Sequence, residues 1–407
     1  MAPAQLRPGE LGHHLPKAGM VWWHGCSGES ALLQAELAQG DLSNTEFTGI
    51  FVPAINRLEP LLSAGAKVQS FFMLPELAAR PAQTHFLPLC YRDIHRTLLR
   101  NPPSAAIFMV SPPDADGICS FGTVTDFLAD LWRAIPVRIA HINPLMPATR
   151  GGCGIPFSEL TAHTEAPEPL KESDPGDDAT AQRIAALAAE LIPDGATIQA
   201  GLGRMPEAVL RALTNHRNLA IHSGLIGDST LHLLEAGAMR ADGPITAGVA
   251  IGTRRLYDAV SGAAFRFRPP SYTHDIRVLA GLDRFVTINS AIEIDLLGQA
   301  YAEAMPKGLI SGPGGASDFA AGARGQDGLR MLVLPATAGK SSRIIRPDQA
   351  RGPVSLGRFD TDIVVTEHGT ADLRGLGRQG RAEALIAIAA PEFQQDLSSF
   401  LASQPTW

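Results

Sequence analysis

The chain is 407 residues long, 45% hydrophobic and 18% charged, with a formal net charge of −7; that length buries two cores and so predicts two domains. The lack of a basic run argues against nucleic acid or an anionic membrane surface as a partner. Four cysteines (Cys26, Cys90, Cys119 and Cys153) without CxxC or CxxH spacing read as reduced thiols of a cytoplasmic protein, not as a disulfide or zinc framework. No run approaches about 18 consecutive apolar residues, and residues 1–19 lack the apolar core of a secretory signal.

Along the chain, short apolar runs alternate with helical patterns. GMVWWHG (19–25), AAIFMVS (105–111) and VRIAHIN (137–143) predict buried strands in the first half. ATIQAGL (196–202), LAIHSG (219–224), FVTINS (285–290), MLVLPA (331–336) and TDIVVTE (361–367) predict them in the second. SALLQAELA (30–38), TDFLADLWRA (125–134), ATAQRIAALAAELI (179–192) and PEAVLRAL (206–213) read as helices between them. Such alternation predicts an α/β fold with mainly parallel sheets covered by helices. TEAPEPLKESDPGDD (164–178), rich in Pro and acids, reads as a linker between domains at 1–175 and 180–407.

The halves hint at a duplication. MVWWHGCSGESALLQAEL and TIQAGLGRMPEAVLRAL share a strand, a glycine-bearing turn, a glutamate and a helix. Two similar domains then face each other, with ligands beyond the carboxyl ends of their strands. The GLG of the second copy is no dinucleotide fingerprint, because Pro206 stands where the third glycine belongs.

Four stretches invite chemistry. SGPGGASDF (311–319) is a tight turn whose backbone N–H groups can approach a ligand and hold an oxyanion, or a plain surface loop. SPPDADGICSFG (111–122) reads as a loop. In TINSAIEIDLLGQ (287–299), Glu293 and Asp295 share a strand face as a catalytic pair or as two solvated carboxylates. In GKSSRIIRP (339–347), Lys340, Arg343 and Arg346 suit a phosphate-bearing ligand or a solvated basic turn.

Taken in order, SPPDxxGxCSxG, IHSxxxxD, INSAIEIDLxGQ, SGxGGxxDF, TEHGTADLRG (366–375) and RAEALIAIAAPEF resemble the acetyl-CoA hydrolase/transferase family of class I CoA-transferases. The resemblance runs from about Val21 to Leu397. It implies two CoA-transferase-type domains with the active site in the cleft between them, and a homodimer. It also implies coenzyme A, as the acyl-CoA substrate, with a small carboxylate as a further partner and no metal or nicotinamide. In the family a glutamate attacks the thioester and forms a mixed anhydride, then a glutamyl-CoA thioester.

Two departures put that route in question. Where the family reads IHSE, this chain reads IHSG, so Gly224 stands at the place of the nucleophile. Where the family has an oxyanion asparagine, SYTHDIRVL places His274. The glycine turn survives as Gly312, Gly314 and Gly315, followed by Asp318 and Phe319; these five, with Lys340 and Arg343, are expected to bind the coenzyme.

Glycine forms no anhydride. The expected enzyme therefore hydrolyses or transfers an acyl group from a CoA thioester without a glutamyl intermediate. The alternatives are a non-catalytic acyl-CoA-binding subunit and a transferase using another carboxylate: Glu29, Glu293 or Asp228. On the leading reading the loss of glutamate vacates room for water or a larger acyl group. His274, with an ordinary pKa near working pH, then serves as general base or oxyanion donor. Asp228, one helical turn past Gly224, is placed to orient His222 or a water.

Overall fold

A computed structural model describes residues 3–174, 176–325 and 327–404. The predicted strands become the interior of two eight-stranded sheets. The first comprises β1 (Ala4–Gln5), β2 (Met20–Trp23), β3 (Glu46–Gly49), β4 (Lys67–Ser70), β5 (Thr84–Phe86), β6 (Ala105–Val110), β7 (Val137–Ile142) and β8 (Ala162–Glu165). Its order is β1-β8-β7-β6-β2-β3-β4-β5, parallel throughout. The second comprises β9 (Thr197–Ala200), β10 (Ala220–Ile226), β11 (Ile245–Ala250), β12 (Phe265–Phe267), β13 (Phe285–Ser290), β14 (Leu329–Val333), β15 (Ile363–Thr366) and β16 (Gly369–Asp372). Its order is β12-β11-β10-β9-β13-β14-β15-β16, parallel except for the closing β15-β16 hairpin.

Both sheets grow the same way. From β2 three strands are added on one side, and then β6, β7 and β8 on the other. From β9 the same additions follow, β10, β11 and β12 and then β13, β14 and β15, with β1 and β16 as extra edge strands. Strands covered on both faces carry continuous apolar runs, and every residue of β6 and β11 is buried.

The helices that bear on the site are α1 (Ala31–Leu37), α2 (Tyr91–Arg100), α3 (Ala179–Ala189), α4 (Arg204–Ala212), α5 (Asp228–Glu235), α6 (Pro270–Thr273) and α7 (Ala316–Gly322). The helix expected over 125–134 is shorter: an α-turn at Leu128–Leu131 runs into a 3₁₀ turn at Trp132–Ala134.

The expected linker starts too early, because residues 164 and 165 belong to β8. The chain after it is strapped to the first sheet. Asn143 Nδ2 donates to the Glu168 carbonyl at 2.6 Å, and Lys171 N to the Ser27 carbonyl at 3.2 Å. The Glu168 carboxylate accepts from Ala31 N at 2.7 Å and Leu32 N at 3.0 Å. Those are orphan amides of the first turn of α1, whose N-cap Ser30 satisfies Leu33 N. Pro175, inside the expected linker, lies outside the described residues.

The carboxyl ends of the two sheets meet. Thr125 N donates to the Gly248 carbonyl at 2.9 Å and Ala250 N to the Thr123 carbonyl at 2.8 Å. Ser27 Oγ donates to the Ala250 carbonyl at 2.8 Å. These bonds join the loops after β2 and β6 to β11, and a cavity opens beside them.

Candidate active site

The cavity encloses about 380 Å³ and takes its walls from both halves. Cys26 and Ile50 come from the turns after β2 and β3; Gln199, Gly224, Val249 and Asn289 come from the carboxyl ends of β9, β10, β11 and β13. The turn before α7 supplies Gly312, Gly314 and Gly315. This is the placement a parallel sheet favours, since its connections leave a crevice beyond the strand ends.

His274 dominates one wall. It ends α6, its N–H donating to the Pro270 carbonyl at 3.0 Å. Its ring stacks on Tyr91 at 4.3 Å and tilts against Phe319 at 4.4 Å. Nδ1 shares a hydrogen bond with Thr273 Oγ1 at 2.9 Å. The other edge lies between two glycines. A Cβ on Gly224 would stand 2.8 Å from His274 Cε1 and 3.0 Å from Nε2, and one on Gly315 would stand 2.5 Å from Nε2. The imidazole therefore takes the position that a Cβ on Gly224 would need, while Gly224 still lines the open cavity.

Burial also corrects the expected titration. Desolvation, with His222 nearby adding to it, lowers the pKa of His274 to about 3. Burial thus favours the neutral form of the ring. It retains the capacity of a neutral imidazole to donate from one ring nitrogen.

The glycine turn is held by contact. Gly312 sits where a Cβ would meet the Phe71 carbonyl oxygen at 1.9 Å, and Gly314 has φ +59°, so both positions demand glycine. The N–H groups of Gly314 and Gly315 make no hydrogen bond among the described residues. Asp318 does not reach the cavity: its Oδ2 accepts from Tyr91 N at 2.9 Å, anchoring α7 to α2. Burial pushes its carboxyl up to about 6. Phe319 is in the wall.

The other candidates lie elsewhere. Asp228 accepts from Thr253 N and Thr253 Oγ1, both at 2.7 Å, and clamps α5 to the loop after β11. It does not orient His222, whose Nε2 instead bonds the Thr273 carbonyl at 3.1 Å. Glu29 is buried beside Arg57 N and 3.9 Å from Lys171 Nζ, its carboxyl pushed up to about 7 by burial. Glu293 and Asp295 form no pair: Asp295 accepts from Leu297 N, Gln299 N and Tyr301 Oη, a closed structural knot. Lys340 is exposed in a turn, and Arg343 Nη1 donates to the Ile292 carbonyl at 2.8 Å; neither lines the cavity. Among the described residues, no carboxylate and no Lys or Arg does.

Three wall residues went unnoticed as candidates. Gln199 and Asn289, on neighbouring strands, exchange amide hydrogen bonds at 3.4 and 3.2 Å. Both lie in stretches legible as strands, and polar amides at the ends of apolar runs were the available signal. Tyr91 opens an ordinary amphipathic helix, and nothing local marks it.

Residues 252–400 match the family model for the acetyl-CoA hydrolase/transferase C-terminal domain. The chain is 38% identical over 311 residues to 4-hydroxybutyrate coenzyme A transferase of Clostridium kluyveri, covering 73% of this chain and 72% of that protein. It is 32% identical over 334 residues to succinyl-CoA:cyclohexane-1-carboxylate CoA transferase of Geobacter metallireducens, covering 79% and 76%. The crystal structure of RipA from Yersinia pestis superposes with a TM-score of 0.90 at 26% identity, covering 97% of this chain and 96% of that one. That of 4-hydroxybutyrate CoA-transferase from Porphyromonas gingivalis gives 0.78 at 30%, covering 98% and 97%.

Proposed function

Because this chain belongs to the acetyl-CoA hydrolase/transferase family, we propose that its inter-sheet cavity holds the thioester of an acyl-CoA for direct attack by a carboxylate acceptor, with no acyl-enzyme or CoA-enzyme intermediate. The chain is an enzyme of that family, and its relatives are named for CoA transfer and for acetyl-CoA hydrolysis. The observation that carries the direct route is the wall itself. No carboxylate lines the cavity among the described residues, and His274 fills the space a side chain at 224 would take.

The same wall favours a carboxylate acceptor over water. Water must lose a proton as it attacks, and general-base help of about 10²–10⁴-fold needs a base poised near the operating pH. A ring with a pKa of about 3 is not one. A carboxylate acceptor is already an anion. Its oxygen attacks the thioester carbonyl and the C–S bond breaks, leaving a mixed anhydride and CoA thiolate. The thiolate then attacks the acceptor's carbonyl and releases the donor carboxylate, leaving the acceptor as its CoA thioester. No proton moves. The oxyanion of each step lies against the free Gly314 and Gly315 amides and the His274 imidazole, donors set in an apolar cavity where they count for most.

The test is a panel of acyl-CoAs with and without acetate, followed by mass spectrometry and initial rates. The expected result is acetyl-CoA and free acid only when acetate is present, with intersecting double-reciprocal lines. His274→Ala should lower turnover roughly 10²–10³-fold, the usual cost of an oxyanion donor, while CoA still binds. Free acid without acetate means hydrolysis and sinks the direct transfer. A covalent CoA adduct restores an enzyme carboxylate, and binding without any product marks an acyl-CoA-binding subunit.

A further inference from the structure

A second, smaller space adjoins the cavity. It encloses about 190 Å³ and shares Val52, Pro53 and Leu202 with the cavity. Its near walls are apolar, with Ile55 and Ile251. Among the described residues its lining also holds the carboxylates Glu207, Asp228 and Asp174 and one cation, Arg211. Burial raises the Glu207 pKa, and the Arg211 guanidinium donates to the Gly176 carbonyl at 3.0 Å. Leu202, 48% exposed, lines both spaces.

We propose that the acyl group is an uncharged, mainly aliphatic chain that runs past Leu202 into this second space, and that acyl groups ending in a carboxylate are rejected. This inference rests on the acyl-CoA reading above. The cavity is walled by Phe72, Leu225, Val249 and Phe319 and, among the described residues, offers no cation to a terminal carboxylate. Moving an unpaired carboxylate from water into such surroundings is costly. The Asp174 and Asp228 carboxylates of the adjoining space meet it with like charge, which raises the cost. A methyl terminus gains at each added carbon until the passage is filled.

The experiment is equilibrium competition of acetyl-, butyryl-, hexanoyl- and adipyl-CoA against a fluorescent CoA analogue on the intact protein. Hexanoyl- and adipyl-CoA differ only at the far end of the chain. Hexanoyl-CoA is expected to bind at least tenfold more tightly than adipyl-CoA and more tightly than butyryl-CoA. Leu202→Trp, which blocks the passage, should collapse the hexanoyl-over-butyryl ratio towards unity. Adipyl-CoA binding as tightly as hexanoyl-CoA overturns the proposal while leaving the acyl-CoA reading intact. So does a ratio unchanged in Leu202→Trp. No binding by any of the four, nor by CoA, overturns both.

Discussion

At the scale of single residues, Gly224, His274 and Gly315 form one interlocked set. The imidazole fits because neither glycine carries a Cβ, and it is held by rings on both sides, contacts worth about 0.5–1.5 kcal/mol each beyond their area. Gly224→Glu alone should therefore overpack the wall and cost about 1–3 kcal/mol of stability, read from the denaturation midpoint. Combined with His274→Ala, the same glutamate has room. The double variant is expected to recover that stability and to acquire a CoA adduct visible by intact mass on mixing with acyl-CoA. A single variant as stable as the parent, or a double variant that remains as unstable as the single, would refute the interlock. The sequence made both unusual residues visible, each against a resembled motif. It did not show that the two touch, because they lie fifty residues apart and meet only through α6.

At the scale of elements, the strand–turn–helix units place the site and the clamps between them hold it. Asp228 at the start of α5 ties that helix to the β11 loop through Thr253. Asp228→Ala leaves the Thr253 donors unpaired, a loss of about 1–3 kcal/mol. Urea midpoints should show that loss, with turnover at saturating substrate changed less than threefold. A collapse of turnover in a stably folded variant would give Asp228 the chemical role expected from its spacing. That expectation came from counting one helical turn past Gly224, but Gly224 lies on β10 and the helix begins only at Asp228. The direction of the side chain was set by its neighbour, which no spacing rule contains. Glu293 and Asp295 repeat the lesson: they were correctly read as strand neighbours, but a local knot engages Asp295.

At the scale of the whole molecule, buried groups of opposite kinds set how stability follows pH. His24 and His274, with ordinary values of 6.5, are lowered to about 4 and about 3 by burial. Their neutral forms favour the fold, so this contribution is full above about pH 6.5 and is lost as pH falls through those values. Asp126 and Glu29 are raised to about 7 from 3.8 and 4.5. They favour the fold when protonated, so their contribution is full below the unfolded values and is lost as pH rises towards 7. Between about pH 4.5 and 6.5 the two trends oppose. Asp126→Asn removes one falling contribution, so stability relative to the parent should rise across that window, by at most about 1.4 kcal/mol per pH unit. Urea midpoints at four pH values measure it; a difference independent of pH would mean that Asp126 is ionised throughout.

The sequence by itself determined the class of fold, the duplication and the position of the two anomalous residues. Apolar runs, glycine turns and long ordered motifs are local signals, and a parallel sheet leaves its strand ends at one edge whatever the details. Only the tertiary structure decided that an imidazole packs against Gly224 and that, among the described residues, no carboxylate lines the cavity. It also decided that Gln199, Asn289 and Tyr91 belong to its wall. Those outcomes depend on which side chains share a volume and lose water together, and that is settled by packing between segments far apart in the chain.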